Sequence, residues 1–166
     1  HFIRSGSDLH AQKIWDILAL YLYSPIVAFG YMDIDNSLPI GAYMFRFFYA
    51  IGSILHITPQ PVTTVFAFVQ VPEATNVFTV MHTFYHDFGL LGVTLGAIIY
   101  GFFFSGLYFL SVKQGGLWTV LFAGYSNVLV MQFFAELLFL GLSFYLQIFF
   151  YSLAIFLVSR KVRYAR

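Results

Sequence analysis

Residues 88–112 read FGLLGVTLGAIIYGFFFSGLYFLSV, and this stretch decides the fold because none of its 25 side chains is charged. About 20 apolar residues are enough for a helix to cross the roughly 30 Å hydrocarbon layer of a bilayer. The whole chain has the same character: 60% of its 166 residues are hydrophobic and 9% are charged, whereas about 25% are charged in soluble domains. We therefore expect a membrane protein.

Apolar segments on both sides of this stretch predict three further spans. Residues 117–159 contain Glu136 as their only charge and are long enough for a helical hairpin, which we place at 117–136 and 140–159. Residues 14–32 form a shorter span that Pro25 is expected to kink. The sequence thus predicts an all-α polytopic membrane protein with about four transmembrane helices in one membrane domain.

The distribution of charge predicts the orientation, because Lys and Arg concentrate at the cytoplasmic ends of spans. With four spans and the amino end inside, Arg46 is the one basic residue left outside. The cytoplasmic basic residues are then Arg4, Lys13, Lys113, Arg160, Lys161, Arg163 and Arg166, and the acidic residues at the outer face are Asp33, Asp35, Glu73, Asp87 and Glu136. Both ends of the chain are expected in the cytoplasm.

The outer segment, residues 33–87, is far longer than a connection between adjacent helices requires. Within it, residues 42–56 and 62–71 are strongly apolar and are separated by the breaker Pro-Gln-Pro at 59–61. We expect a short helix that lies on or dips into the membrane surface, followed by an extended or re-entrant stretch. Asp33 and Asp35 are expected to be solvated residues of this loop.

Arg46 is the first candidate for a functional residue, because a guanidinium in an apolar run is costly without an anionic partner. Its planar fork suits phosphate. One interpretation is that Arg46 binds the phosphate of a substrate, and the other is that it reaches lipid phosphates and anchors a surface helix. The sequence leaves both interpretations open.

A second candidate site is the cluster of His82, Tyr85, His86 and Asp87, directly before the uncharged span. Helical spacing would bring several of these side chains together at the outer mouth of the span, where they could form a general base or a hydrogen-bonding clamp. Alternatively, Asp87 complements the dipole of a helix start, and the aromatic residues form an interfacial belt. The metalloprotease Glu is missing, so we expect no metal.

Other features favour packing roles or exclude classes of function. Glu136 is expected to be a turn residue, and small residues allow close helix packing. These are Gly92, Gly96, Ala97, Gly101 and Ser105. The absence of cysteine excludes thiolate chemistry, a net charge of +1 argues against a nucleic-acid partner, and no P-loop or dinucleotide fingerprint occurs. No cofactor is expected.

Three blocks resemble the bacterial O-antigen polymerases, the Wzy-type oligosaccharide repeat unit polymerases: YLYSPIVAFGYM at 21–32, GAYMFRFFYAIG at 41–52 and PVTTVFAFVQVPEATNVFTVMHTFYHDFGLLG at 61–92. The most specific match lies at 76–92, where an aromatic pair and Asp-Phe-Gly open a helix. The matching residues are Asn76, Phe78, Thr79, Phe84, Tyr85, Asp87, Phe88, Gly89 and Gly92.

The resemblance implies a multispan glycosyltransferase of the bacterial inner membrane that acts at the periplasmic face. It would join oligosaccharide repeat units carried on undecaprenyl pyrophosphate, with a chain-length regulator as a further partner. Arg46, His86 and Asp87 would be catalytic: Arg46 would stabilise the pyrophosphate, and His86 or Asp87 would orient or deprotonate the acceptor hydroxyl. The implied substrate-binding residues are Arg46, Asn76, His82 and Tyr85.

The chain departs from the family pattern in supplying one large outer loop with one arginine. It also begins with His1, and its first thirteen residues are polar and lack the apolar core of a secretory signal. We therefore expect a carboxy-terminal fragment that is inactive alone. An O-antigen ligase is an alternative function, as is a flippase or transporter of lipid-linked oligosaccharides, although a transporter should place charges at the bilayer midplane.

Overall fold

A computed structural model describes residues 6–32, 34–35, 37–71 and 73–164, with side chains for 13–32, 34–35, 37–71 and 74–159. Arg4, Asp33 and Arg166, and the side chains of Glu73, Arg160, Lys161 and Arg163, on which the predicted orientation partly depends, lie outside these residues. The described part contains five helices and two short strands. They are α1 (Gly6–Gly30), α2 (Arg46–Ile54), β1 (Val69–Val71), β2 (Glu73–Thr75), α3 (Met81–Gln114), α4 (Leu117–Met131) and α5 (Leu142–Tyr164).

The mostly helical architecture is confirmed, and the length and composition of three helices support the membrane character. Three helices of the described chain are long and apolar enough to cross a membrane, within Lys13–Gly30, Met81–Gln114 and Leu142–Ser159. The fourth, α4, has 15 residues and is about 22 Å long at 1.5 Å per residue, which is shorter than the hydrocarbon layer. A fourth span therefore stays a prediction.

The helices pack in sequence order, α3 against α4 and α4 against α5. Their contact buries Tyr100, Leu121, Tyr125, Val128 and Tyr145. Large apolar side chains also cover the outer surface of the bundle: Phe102 is 79% exposed, Leu90 is 77% exposed and Val130 is 75% exposed. Such a surface is unfavourable in water and is typical of helices that face lipid.

Helix α3 consists of two helices joined at a sharp break. Gly89 has φ 62° and ψ −149°, a backbone region that is essentially restricted to glycine. Residues 81–88 fold back beside the beginning of the long segment, so that a Cβ atom on Gly92 would overlap the carbonyl oxygen of Phe84. In a straight helix, residues eight positions apart are separated by about 12 Å. Residues 81–88 thus form a short helix that folds back on the uncharged span, and we name it the re-entrant helix for this reversal of the chain.

Two of the small residues predicted to allow close packing do so within the chain itself. The ring of Phe84 covers Gly96, and a Cβ there would lie 2.7 Å from the Phe84 ring. Phe84 is 3% exposed and also contacts Tyr100 edge-on, with ring centroids 5.9 Å apart. Gly101, by contrast, has open space around it. The prediction of a packing role is therefore correct for Gly92 and Gly96.

The loop between α4 and α5 lies beside the beginning of α3, since the Val80 N–H donates to the carbonyl of Gln132 at 2.8 Å. Glu136 is the central residue of this loop and is 1% exposed. Its carboxylate accepts hydrogen bonds from the N–H groups of Phe139 and Leu140, at 2.8–3.0 Å, and from the Tyr100 hydroxyl. Glu136 is a turn residue, as expected, and it also links the turn to α3.

The segment before α3 contains the predicted short helix, α2, and an antiparallel hairpin of two three-residue strands, which was not predicted. Strands β1 and β2 pair Val69 with Thr75 and Val71 with Glu73. Helix α1 packs against both strands and continues through Pro25. Val69 and Gln70 of β1 line the candidate site, so the hairpin lies on one side of that site.

Candidate functional site

Asp87 fastens the segment after α1 to the end of the re-entrant helix. Its carboxylate accepts hydrogen bonds from the backbone N–H groups of Tyr43, at 3.1 Å and 3.3 Å, and of Met44, at 2.8 Å. The Asp87 side chain is 1% exposed. Both of its oxygens are thus engaged by backbone donors from a segment more than 40 residues earlier in the chain. Asp87 therefore accepts hydrogen bonds from this segment and not from the first turn of its own helix.

His86 makes a second connection to the same segment. Its Nε2 atom accepts a hydrogen bond from the Asp35 N–H at 3.2 Å, and its Nδ1 atom lies 3.8 Å from Oδ1 of Asp87. The Nδ1 side of the His86 ring therefore lies near the Asp87 carboxylate, at a distance longer than a hydrogen bond. Tyr43 packs edge-on against the His86 ring, with centroids 4.8 Å apart.

Two residues on this segment have shifted pKa values. Hydrogen bonds from the hydroxyl and the N–H of Ser37 lower the pKa of Asp35 below its usual range, and Asp35 is exposed, as predicted. Burial raises the pKa of Tyr43, and the negative charges of Asp87 and Asp35 raise it further. At neutral pH, Asp35 is therefore an anion and Tyr43 keeps its hydroxyl proton.

His82 lies one turn before His86, with the two rings 6.2 Å apart. It is packed between Phe66, at 4.2 Å, and Phe78, at 4.4 Å, and is 5% exposed. Its Nδ1 atom is buried and has no hydrogen-bond partner among the described residues. Buried polar atoms in native proteins are nearly always paired, so His82 has an unused hydrogen-bonding group.

His82 and His86 line an open cavity of about 590 Å³, here named the histidine cavity. The residues that define it are Asp35, Tyr43, Phe66, Phe78, His82 and His86, with further contributions from the chain at 31–32 and 67–70. Its size lies within the 300–1,000 Å³ that is usual for small-molecule sites, and its walls combine aromatic rings with a few polar groups, as such sites do.

Arg46 is the first residue of α2 and does not line the histidine cavity. Its Nε–H donates to the carbonyl of Val62 at 2.8 Å, which ties the start of α2 to the chain before the hairpin. Among the described side chains, none supplies a carboxylate within 4.0 Å of Arg46. The half-buried Arg46 side chain therefore has no acidic partner among the described residues, and both interpretations of Arg46 stay open.

The remaining predicted site residues lie apart from the cavity. The Tyr85 ring packs edge-on against Phe29 of α1, with centroids 5.4 Å apart, and Asn76 lines two neighbouring cavities instead. The structure thus brings His82, His86 and Asp87 together and leaves Arg46, Tyr85 and Asn76 outside. Within the described residues, no three His, Asp or Glu side chains are placed to hold a metal ion.

Sequence reasoning missed Tyr43 and Phe66, which supply much of the cavity wall. Both lie in apolar runs of the outer segment, and no spacing relates them to the histidines, because their contacts depend on how that segment folds back over the re-entrant helix. Phe78 did carry a signal, since it is one of the residues on which the resemblance rests.

No protein-family model matches this sequence, and no curated protein and no solved structure matches it significantly.

Proposed function

We propose that this chain is part of a membrane glycosyltransferase that joins oligosaccharide repeat units carried on undecaprenyl pyrophosphate. In this proposal the chain crosses the bacterial inner membrane four times, with both ends in the cytoplasm and residues 33–87 at the periplasmic face. The observation that carries the proposal is the histidine cavity, a hydrogen-bonding and aromatic cavity located where the uncharged span begins. A site in this position suits a water-soluble glycan attached to a lipid carrier.

The reaction joins a growing glycan to a new repeat unit. A hydroxyl oxygen of the acceptor sugar forms a bond to the anomeric carbon of the donor, and the bond between that carbon and the pyrophosphate oxygen breaks. The electron pair leaves with the lipid pyrophosphate, and the hydroxyl proton is released to a base. Negative charge therefore grows on the pyrophosphate in the transition state, where a fixed cation contributes most.

Arg46 is proposed to stabilise this charge. It is the one arginine in the outer segment, and its Nε contact with Val62 leaves the two terminal nitrogens available for two phosphate oxygens. Asp87 is assigned a positioning role, because its oxygens already hold the backbone of Tyr43 and Met44. His86 orients the same segment through Asp35.

The test is a gel ladder of surface glycan from cells in which an Arg46→Ala version of the intact gene is the only copy. Core carrying a single repeat unit is expected, because polymerisation fails while ligation continues. A normal ladder would show that Arg46 is a lipid anchor, and core without any repeat unit would indicate the ligase or the flippase. Lys113→Ala, which removes a cation from the far end of α3, is the matched control and should leave the ladder normal.

A further inference from the structure

The charges of the residues that line the histidine cavity argue against binding of the pyrophosphate part of the proposed substrate. Among the described residues that line it, none is Lys or Arg, and Asp35 contributes a carboxylate. The Asp35 carboxylate would therefore repel an anionic pyrophosphate in this cavity, and no cation would compensate for the repulsion. The cavity is open but partly desolvated, so solvent does not screen this repulsion fully. The cavity suits an uncharged ligand.

The walls of the cavity define that ligand further. The Phe66 and Phe78 rings flank His82, and Tyr43 packs against both histidines, at 5.9 Å and 4.8 Å between centroids. Aromatic faces bind apolar C–H surfaces and add large contact areas. Tyr43 also keeps its hydroxyl proton, so it remains a hydrogen-bond donor as well as an acceptor.

His82 supplies an unpaired polar atom among the described residues that line the cavity. Its imidazole is 5% exposed, and no described residue pairs with its Nδ1 atom. Leaving a buried polar atom unpaired has a substantial energetic cost, which a ligand hydroxyl would remove by completing the hydrogen bond. A ligand with one apolar face and several hydroxyls satisfies the rings and the imidazole together, and a sugar ring has this character.

We propose that the histidine cavity binds the neutral sugar ring of the acceptor repeat unit, with His82 hydrogen-bonded to one of its hydroxyls, and that it does not bind the pyrophosphate. The identification of this sugar as part of the acceptor rests on the proposed function. Because Arg46 does not line this cavity, different residues would bind the sugar ring and the pyrophosphate.

The experiment measures binding to the intact protein in lipid nanodiscs by isothermal titration calorimetry. The probes are oligosaccharides released by mild acid from the surface glycan of the producing cells, and inorganic pyrophosphate. Choline is the third probe, because aromatic cavities can instead bind a quaternary ammonium. The variants are His82→Ala and Phe66→Ala. The matched controls are His56→Asn, at an exposed histidine outside the cavity whose φ of 56° asparagine tolerates, and Phe48→Ala, at an exposed phenylalanine of α2.

The expected result is that the oligosaccharide binds and that each cavity variant weakens binding about tenfold, the effect of losing one hydrogen bond or one aromatic contact. The controls should stay within about twofold of the unmodified protein, and all four variants should keep its thermal unfolding temperature. Pyrophosphate affinity should not change in His82→Ala. Because two unrelated cavity variants are tested, misfolding of one of them does not decide the outcome.

Three results would overturn the proposal: equal oligosaccharide binding in all variants, binding of choline in the cavity in place of the sugar, or no oligosaccharide binding at all. Failure of the proposed function is recognised separately. Core without any repeat unit in Arg46→Ala cells, combined with oligosaccharide binding that is lost in His82→Ala, would replace the polymerase with the ligase or the flippase while leaving the sugar site in place.

Discussion

The carboxylate of Asp87 accepts a hydrogen bond from the Met44 N–H at 2.8 Å, across 43 residues of sequence. With the parallel bond from Tyr43, this contact holds the outer segment over the re-entrant helix and places Tyr43 against His82 and His86. The cavity therefore depends on a residue that does not line it.

Replacing Asp87 with Ala should lower the free energy of unfolding by about 1–3 kcal/mol, because two backbone N–H groups lose their buried acceptor. The measurement is denaturant unfolding in mixed micelles, with limited proteolysis at residues 35–44 to detect release of the segment. Asp16→Ala, at an exposed position of α1, is the control. Equal stability and equal proteolysis of the two variants would show that the Asp87 contacts contribute nothing.

Asp87→Asn tests the same residue through function. The amide retains one acceptor oxygen, but its NH₂ group faces a backbone N–H donor, so the outer segment should be held less precisely. We expect a shortened glycan ladder while the protein remains inserted in the membrane, as measured by fractionation. A full-length ladder would mean that one hydrogen bond is sufficient.

Gly92 and Gly101 form a matched pair for testing the reversal of the chain at Gly89. Gly92→Ala should be destabilising by about 1–3 kcal/mol, as overpacking commonly is, because the new methyl group would overlap the Phe84 carbonyl. Gly101→Ala meets open space and should be neutral or stabilising by up to about 1 kcal/mol, the helix-propensity difference. If the two variants unfold alike, residues 81–88 do not fold back on the span.

Gly89→Ala examines the backbone rather than the packing, since a Cβ at this position meets nothing within 4 Å. The cost should be about 1–3 kcal/mol, from holding an L-residue at φ 62° and ψ −149°. The readout is the unfolding midpoint together with the ladder, because a straightened helix would displace His82 and His86. A wild-type unfolding midpoint together with a wild-type ladder would contradict the break in the helix at Gly89.

Glu136 and Tyr100 should be energetically coupled. Glu136→Ala and Tyr100→Phe each remove the hydrogen bond that joins the α4–α5 turn to α3, so the double variant should be less destabilised than the sum of the singles, by about 0.5–3 kcal/mol. Unfolding of the four proteins in mixed micelles measures this difference, and Tyr108→Phe, at an exposed tyrosine, serves as the control. Strict additivity would mean that the contact carries no energy.

Arg46→Lys separates the two interpretations of Arg46. Lysine keeps the charge and could still reach a lipid phosphate, but it cannot donate to the Val62 carbonyl and bind two phosphate oxygens together. Activity should fall about tenfold or more if Arg46 binds pyrophosphate, as measured by the yield of polymer per cell. Near-normal polymer would favour the lipid anchor.

Several features could be predicted from the sequence alone, and each rests on composition or local pattern. The uncharged run at 88–112 predicted the long helix, and the apolar run at 42–56 predicted the short helix α2. The spacing of His82, Tyr85, His86 and Asp87 predicted that several of these side chains lie together, as all of them except Tyr85 do. These features follow from hydrophobicity and helical periodicity, which act between residues close in sequence.

Only the tertiary structure decided what those residues contact. The reversal at Gly89 turns the expected helix start into a re-entrant helix, and the Asp87 carboxylate is directed at Tyr43 and Met44 instead of its own helix. The cavity takes its walls from Phe66 and Tyr43, which no local pattern relates to His82. Contacts across 16 to 44 residues depend on which groups find a buried partner once the chain is compact, and the backbone conformation at Gly89 decides that residues 81–88 pack back on the span.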